Sequence, residues 1–196
     1  MPLVTLTLPG SSPVSLAEAK EQCRIVSSDT THDSLLARLI NEAVSSIETI
    51  TGARLSDQTV RLDLDGFASS NIDLGVYPVN SITSVVYDDA DNVAQTMVLG
   101  TDYWESLSGM YPFICPVESW PATRAGKPGS VRITMSVGYY ESSPNITAAP
   151  DDLRHAVLMR VKEYFDNAGE SVTGLSVEGT VSTVKALTDL HRRVAV

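Results

Sequence analysis

The spacing of apolar residues changes period twice along this chain, and that change restricts the fold more than any other feature. Between His32 and Thr51, the residues Leu36, Leu39, Ile40, Ala43, Val44, Ile47 and Ile50 recur at intervals of three and four, the stripe of an amphipathic helix. From Arg54 the interval falls to two: Val60, Leu62 and Leu64 alternate with Arg61 and Asp63, as on a strand with one buried face. Helical spacing returns after Pro150 with Leu153, Val157, Val161, Tyr164 and Phe165. Each helical stripe must be covered, so the helices on either side of the strand-rich stretch are expected to pack on one another.

Local signals place the ends. Ser15 and Glu18 form a capping box at the start of a short helix over about Leu16 to Arg24. Asp33 sits in the first turn of the long helix, where the dipole favours an acid, and Gly52 stands where a left-handed cap is wanted. Pro150 is suited to a first helical position, with Asp151 and Asp152 complementing the dipole. Further strands are expected at 71–74, 81–87, 93–99, 103–106 and 131–137, with Asp88 to Asn92 as a hairpin turn. Residues 107–129 hold four of the ten prolines, Pro112, Pro116, Pro121 and Pro128, and read as a long irregular excursion of the kind that binds partners. Residues 169–180 read as a flexible link rich in Gly, Ser, Thr and Val. Ser182 to Arg193 forms an amphipathic helix with Val184, Leu187 and Leu190 on one face and Arg192 and Arg193 at its end.

The fold class that follows is α+β: a small helical bundle over residues 1–53 and 150–168, an antiparallel β-rich insertion over 54–149 between the second and third helices, and a link and C-terminal tail helix over 169–196. A lone helix as short as the tail is marginal in water, so it needs a partner surface. The flexible tether before it favours docking onto another subunit or protein over closure of its own core.

Charge narrows the function. Lys and Arg number 14 against 24 Asp and Glu, a net −10, which is a poor field for gripping nucleic-acid phosphates. Residues 55–123 carry ten acids against the single base Arg61, whereas 183–196 carry Lys185, Arg192 and Arg193 against Asp189. No apolar run approaches a membrane span, and the N-terminus lacks the pattern of a signal peptide. Cys23 and Cys115 stand without Cys or His neighbours at ligand spacing and read as free thiols in a reducing compartment. His32, His155 and His191 adjoin no nucleophile. The run Asp88-Asp89-Ala90-Asp91-Asn92 breaks the calcium-loop pattern at Ala90 or Val93 and lacks its glycine. No phosphate-binding glycine loop is present. No catalytic residue, cofactor or metal site is expected. The pattern is that of an interaction protein, with Trp120 as an anchor and Arg124 as a polar contact of the Pro-rich segment.

Three runs carry a resemblance. They are Pro13-Val14-Ser15-Leu16-Ala17-Glu18-Ala19-Lys20, then Tyr77-Pro78-Val79-Asn80-Ser81-Ile82-Thr83-Ser84-Val85, then Ser119-Trp120-Pro121-Ala122-Thr123-Arg124 followed by Lys127 to Ile133 and Gly138-Tyr139. In this order, over roughly residues 10–167, the chain resembles the head–tail connector (adaptor) proteins of long-tailed bacteriophages and phage-like gene transfer agents. The resemblance implies a structural protein of the particle neck, assembled in the bacterial cytoplasm as a homo-oligomeric ring of about twelve copies with head-to-tail contacts. It implies a portal protein above, a stopper or other neck or tail component below, DNA only as passing cargo, and no membrane. The acids Asp88, Asp89 and Asp91 are candidates for the channel wall, since an acidic wall repels phosphate. Trp120, Arg124, Val184, Leu187, Leu190, Arg192 and Arg193 are the candidate interface. The alternatives are a small acidic binding module, a subunit of another assembly, or an enzyme with an unrecognised site.

Overall fold

The computed structural model describes residues 3–7, 9–67, 70–139, 148–167 and 178–194, with side chains from 183 onward in the last segment. Its elements run in the order β1 (Leu3–Thr7), α1 (Leu16–Gln22), α2 (Asp33–Thr51), β2 (Gln58–Leu64), β3 (Ile72–Asp73), β4 (Val79–Asp88), β5 (Ala94–Thr96), β6 (Tyr103–Ser106), β7 (Phe113–Pro116), β8 (Val131–Val137), α3 (Asp151–Asp166) and α4 (Glu178–Asp189). They form two compact units, one of Met1–Gly10 with Ser56–Thr147 and one of Ser11–Leu55 with Ala148–Val196. The architecture is the expected α+β arrangement, with the strand-rich stretch lying between the second and third helices and a C-terminal helix after them.

In the helical unit the two long stripes are buried as their spacing requires. Leu36, Leu39, Ile40, Ala43 and Ile47 of α2 are buried, as are Leu153, Ala156, Val157 and Val161 of α3. A leucine removed from water in this way contributes about 1.5–3 kcal/mol before its entropy cost. The capping box of α1 forms: the Glu18 N–H donates to Ser15 Oγ at 3.2 Å, and the Ser15 N–H donates to Glu18 Oε2 at 2.7 Å. Those hydrogen bonds, with Arg154 nearby, hold the Glu18 carboxyl below its ordinary pKa. Arg154 of α3 then ties the helix start down, donating to Glu18 Oε1 at 2.6 Å and to the Pro13 carbonyl at 3.0 Å. Lys20, almost fully buried, reaches Asp33 at 2.6 Å and the Ser27 carbonyl at 3.3 Å, joining α1 to the start of α2. Gly52 caps α2 at φ +74°, the left-handed region that glycine enters without penalty.

In the β unit a five-stranded antiparallel sheet has the order β1-β2-β8-β4-β5, and a three-stranded sheet has the order β3-β7-β6. The register places Val60 opposite Met135, Leu62 opposite Ile133 and Leu64 opposite Val131. Val60, Leu62, Val131, Ile133, Met135 and Val137 are all fully buried, whereas the alternating Arg61, Asp63, Arg132, Thr134 and Ser136 are not. Ile72, Leu74, Tyr103 and Ile114 from the second sheet share their hydrophobic cluster. Gly138 ends β8 at φ +104°, with its Cα so close to Ser56 that a Cβ would fall 2.0 Å from the Ser56 carbonyl oxygen. Only glycine is accommodated there.

Two expectations are corrected. Residues 1–10, assigned above to the helical bundle, supply an edge strand to the five-stranded sheet, with Leu3 opposite Leu62 and Val4 opposite Arg61. The alternation Leu3, Thr5, Thr7 is too weakly apolar to announce a strand, and pairing to β2 supplies the missing drive. The segment 107–129 is not irregular throughout, since Phe113–Pro116 is a strand paired to β6. Pro112 precedes the strand and Pro116 closes it, positions where a missing N–H costs no ladder bond.

Candidate interaction surfaces

The Pro-rich segment after β7 is fastened to its own unit. Asp88, at the end of β4 and only 4% exposed, accepts two hydrogen bonds from Arg132, at 2.8 and 2.9 Å, and pairs with Lys127 at 2.7 Å. These donors hold its carboxyl far below the ordinary carboxylate range. Lys127 also donates to Asn92 Oδ1 at 2.8 Å. The Arg124 guanidinium donates to the Ala90 carbonyl at 2.8 Å, and the Arg124 backbone N–H donates to the Asp88 carbonyl at 2.9 Å. The stretch 124–132 therefore straps over the β4–β5 turn.

The turn itself is the expected hairpin. Asp89 accepts from the backbone N–H groups of Asp91 and Val93 at 3.0 and 2.9 Å and from the Gln95 amide at 2.9 Å, so its carboxyl also stays below its ordinary pKa. Asn92 takes the left-handed conformation at φ +64° that lets the chain turn back. The three candidate channel acids thus separate. Asp88 is buried and ion-paired, and Asp89 is half-buried with its carboxylate bonded into its own loop. Asp91 is exposed. Just beyond the acidic stretch 55–123 come Arg124, Lys127 and Arg132, and the last two pair with Asp88. Over 56–147 there are four bases against eleven acids, a net −7, and Asp65, Asp73, Asp91 and Glu118 are the exposed acids among the described residues.

Trp120 lies four residues before this strap, in the same Pro-rich segment. Its ring stacks on Phe67 with centroids 4.6 Å apart and planes 3° from parallel, and it is half-buried against the β core. Phe67 in turn meets Tyr87 edge-on at 5.8 Å. Trp120 is a packing residue of the β unit, and what it offers a partner is its remaining exposed edge.

The tail is divided in the same manner. Val184 and Thr188 of α4 are buried, Leu187 is half-buried, and Leu190 is exposed. Thr188 Oγ1 returns a hydrogen bond to the Val184 carbonyl at 2.9 Å. His191 meets Asp152 at the start of α3, 2.6 Å apart. The Arg193 N–H donates to the Thr51 carbonyl at 2.8 Å, where the chain crosses Gly52 closely enough that a Cβ there would sit 3.3 Å from Arg193 Cβ. The expectation that this helix stands apart for docking is corrected: α4 helps close the core of the helical unit. The expected link over 169–180 lies outside the described residues as far as 177. Arg192 is exposed and Arg193 half-buried.

One surface escaped the sequence reading. Trp104 is 54% exposed on β6, with its ring over Gly100. Val98, Leu99 and Val117 beside it are also exposed. Asp102 ties two of them together: the Val98 N–H donates to its carboxylate Oδ2 at 2.7 Å, and the Val117 N–H donates to its carbonyl at 3.1 Å. A cleft of about 310 Å3 opens alongside, lined among others by Met97, Thr101, Asp102, Val117, Glu118 and Pro121. The signal was present in the alternation of β6: with Tyr103 committed to the core, Trp104 had to face outward.

The titratable groups show no reactive arrangement among the described residues. His32 packs edge-on to Phe165 at 5.6 Å, and His155 is exposed. Cys23 and Cys115 are free thiols, and burial pushes the Cys23 thiol up. Among the described residues, no three His, Cys, Asp or Glu side chains are placed to share a metal ion, and no helix is long and apolar enough to cross a membrane.

Residues 13–94 match the sequence model of the phage gp6-like head–tail connector protein family. A search of curated protein sequences found no match. Among solved structures, the chain is similar to one from the neck of an empty gene transfer agent particle computed with C6 symmetry, at 23% identity and a TM-score of 0.80 over 100% of this chain and 97% of that one. It is similar to another from the virion of a native gene transfer agent particle, at 22% identity and a TM-score of 0.78 over the same shares. A third, from the neck of a native particle computed with C12 symmetry, matches at 21% identity with a TM-score of 0.69 over 97% of each chain. The resemblance read from the sequence is thus supported over the first connector runs by the family and over the remainder by the fold.

Proposed function

Taking residues 13–94 as a segment of the phage gp6-like head–tail connector family, we propose that this chain is a structural subunit of the neck of a tailed phage or gene transfer agent. It forms a ring beneath the portal, extends the channel through which DNA leaves, and offers the next neck or tail component a docking surface. The protein acts by assembly rather than catalysis. It is made in the bacterial cytoplasm and ends in the particle neck.

The family match over 13–94 carries this reading. The fold supports it over the whole chain, since the similar structures come from necks and a virion of gene transfer agent particles, two of them computed with C6 or C12 symmetry. Charge is consistent with it as well. Exposed acids such as Asp65, Asp73 and Asp91, on a β unit of net −7, repel phosphate, so DNA passing this surface is not held. A portal is the partner above, and a stopper or similar component the partner below.

The test is co-expression of the chain with the portal of its own particle, followed by electron microscopy of the purified complex. A ring of this chain coaxial with the portal is expected. A chain that neither binds the portal nor forms closed rings, while remaining folded, overturns the proposal.

A further inference from the structure

We infer that the Trp104 patch of one subunit receives the end of the α4 segment of a second copy of this chain; the inference rests on the ring proposed above. A cyclic ring cannot be closed by one self-complementary patch. It needs two different surfaces on each chain that fit one another head to tail. Two exposed surfaces of this protein meet that condition.

The first is Trp104 with Val98, Leu99 and Val117, an apolar group next to the cleft that Met97 and Pro121 help to line. Its rim is acidic, with Asp102 and the exposed Glu118 both lining the cleft. Asp102 is occupied in holding the Val98 N–H, so Glu118 is the acid open to a new partner. Tryptophan is the residue type most enriched among those that dominate binding energy, and an exposed Trp ringed by valines and a leucine is unfavourable in water.

The second surface has the opposite charge and the same apolar character. Leu190 is 78% exposed and Val194 61% exposed, on either side of the exposed Arg192. These residues remain outward because His191 and Arg193, between them, are the ones that bond to Asp152 and Thr51. With His191 and the Arg193 backbone anchored, the chain after α4 presents Leu190, Arg192 and Val194 outward. Leucine and valine meet the Trp104 patch, and the Arg192 guanidinium meets the Glu118 carboxylate at its edge, where such a pair sets register and orientation. The free sheet edges, β1 and β5, offer no comparable match, since β1 carries no charged residue to answer the acids around β5.

The experiment is a charge exchange in the full chain, assembled with its portal and scored as closed rings per portal by electron microscopy. Glu118→Lys alone and Arg192→Glu alone are each expected to lower the yield of rings roughly tenfold, and the chain carrying both is expected to recover most of it. Trp104→Ala is expected to lower the yield further, with its melting temperature unchanged as a check on folding. Single reversals that assemble like the wild type overturn the inference. So does a double variant that stays defective, which would point to the portal or another protein as the occupant. A wild-type chain that makes no ring overturns the underlying reading instead, whereas wild-type rings indifferent to all three variants overturn this inference alone.

Discussion

The two tryptophans lie in neighbouring regions of the same β unit and have opposite fates. Trp120, in the Pro-rich segment that leads into the strap, is stacked on Phe67 and half-buried against the core. Trp104, on a regular strand, is exposed. The sequence offers the irregular segment, with Trp120, as the contact element and makes no assignment for Trp104; the fold half-buries the first ring and exposes the second. The strap is irregular yet fixed, because Arg124 and Lys127 bind the β4–β5 turn and the buried Asp88 pairs with Lys127 and Arg132. The strand is regular yet carries an exposed aromatic, because one of two adjacent residues on a strand must face away from the core. Irregular backbone is thus no measure of availability to a partner. What decides is where the side chain's own bonds and stacking partners lie.

The sharpest way to break this contrast is at Asp88. Asp88→Asn removes the carboxylate shared by Arg132 and Lys127 and is expected to destabilise the strap and the β4–β5 turn more than any other single change. The effect has a pH signature. The Asp88 carboxyl is held below its ordinary value, so its stabilisation is present above about pH 4, where the unfolded carboxyl ionises, and is lost as pH falls further. Acid titration of the melting temperature should be steeper below that point for the wild type than for Asp88→Asn. Equal slopes would mean that the pair is not formed in solution.

Trp120→Ala is expected next, with a loss of about 3 kcal/mol by chemical denaturation, the low end for an aromatic in a core because the ring is only half-buried. In the tail, Val184→Ala should cost about 2 kcal/mol and Leu190→Ala close to nothing, which denaturation of the two variants side by side will show. An equal, negligible effect at both would mean that α4 is detached from the helical unit in solution. A similarly small effect is expected for Trp104→Ala, within about 0.5 kcal/mol of the wild type, because its ring is mostly in solvent. A loss as large as that at Trp120 would make Trp104 a core residue and erase the contrast.

The legibility of the chain follows the range of the interactions involved. The α2 stripe from Leu36 to Ile47, the capping box of Ser15 and Glu18, the Gly52 cap and the alternation of β2 and β8 are written in neighbouring residues, and each appears where spacing and capping chemistry place it. Periodicity alone therefore determined the α+β class and the strand-rich stretch between the helices, and three short runs carried a resemblance to head–tail connectors that the family model matches over 13–94. Only the tertiary structure decided the rest. Arg132 meets Asp88 across 44 positions, Arg154 meets Glu18 across 136, and His191 meets Asp152 across 39. No local pattern encodes such pairs, because a charge chooses its partner from whatever the packed backbone brings within a few ångströms. The same limit hid the strand at Leu3–Thr7, which is held by its neighbour β2 rather than by its own composition. It also left open which acids and which tryptophan would face the solvent, since burial is a property of the packed chain and not of the residue.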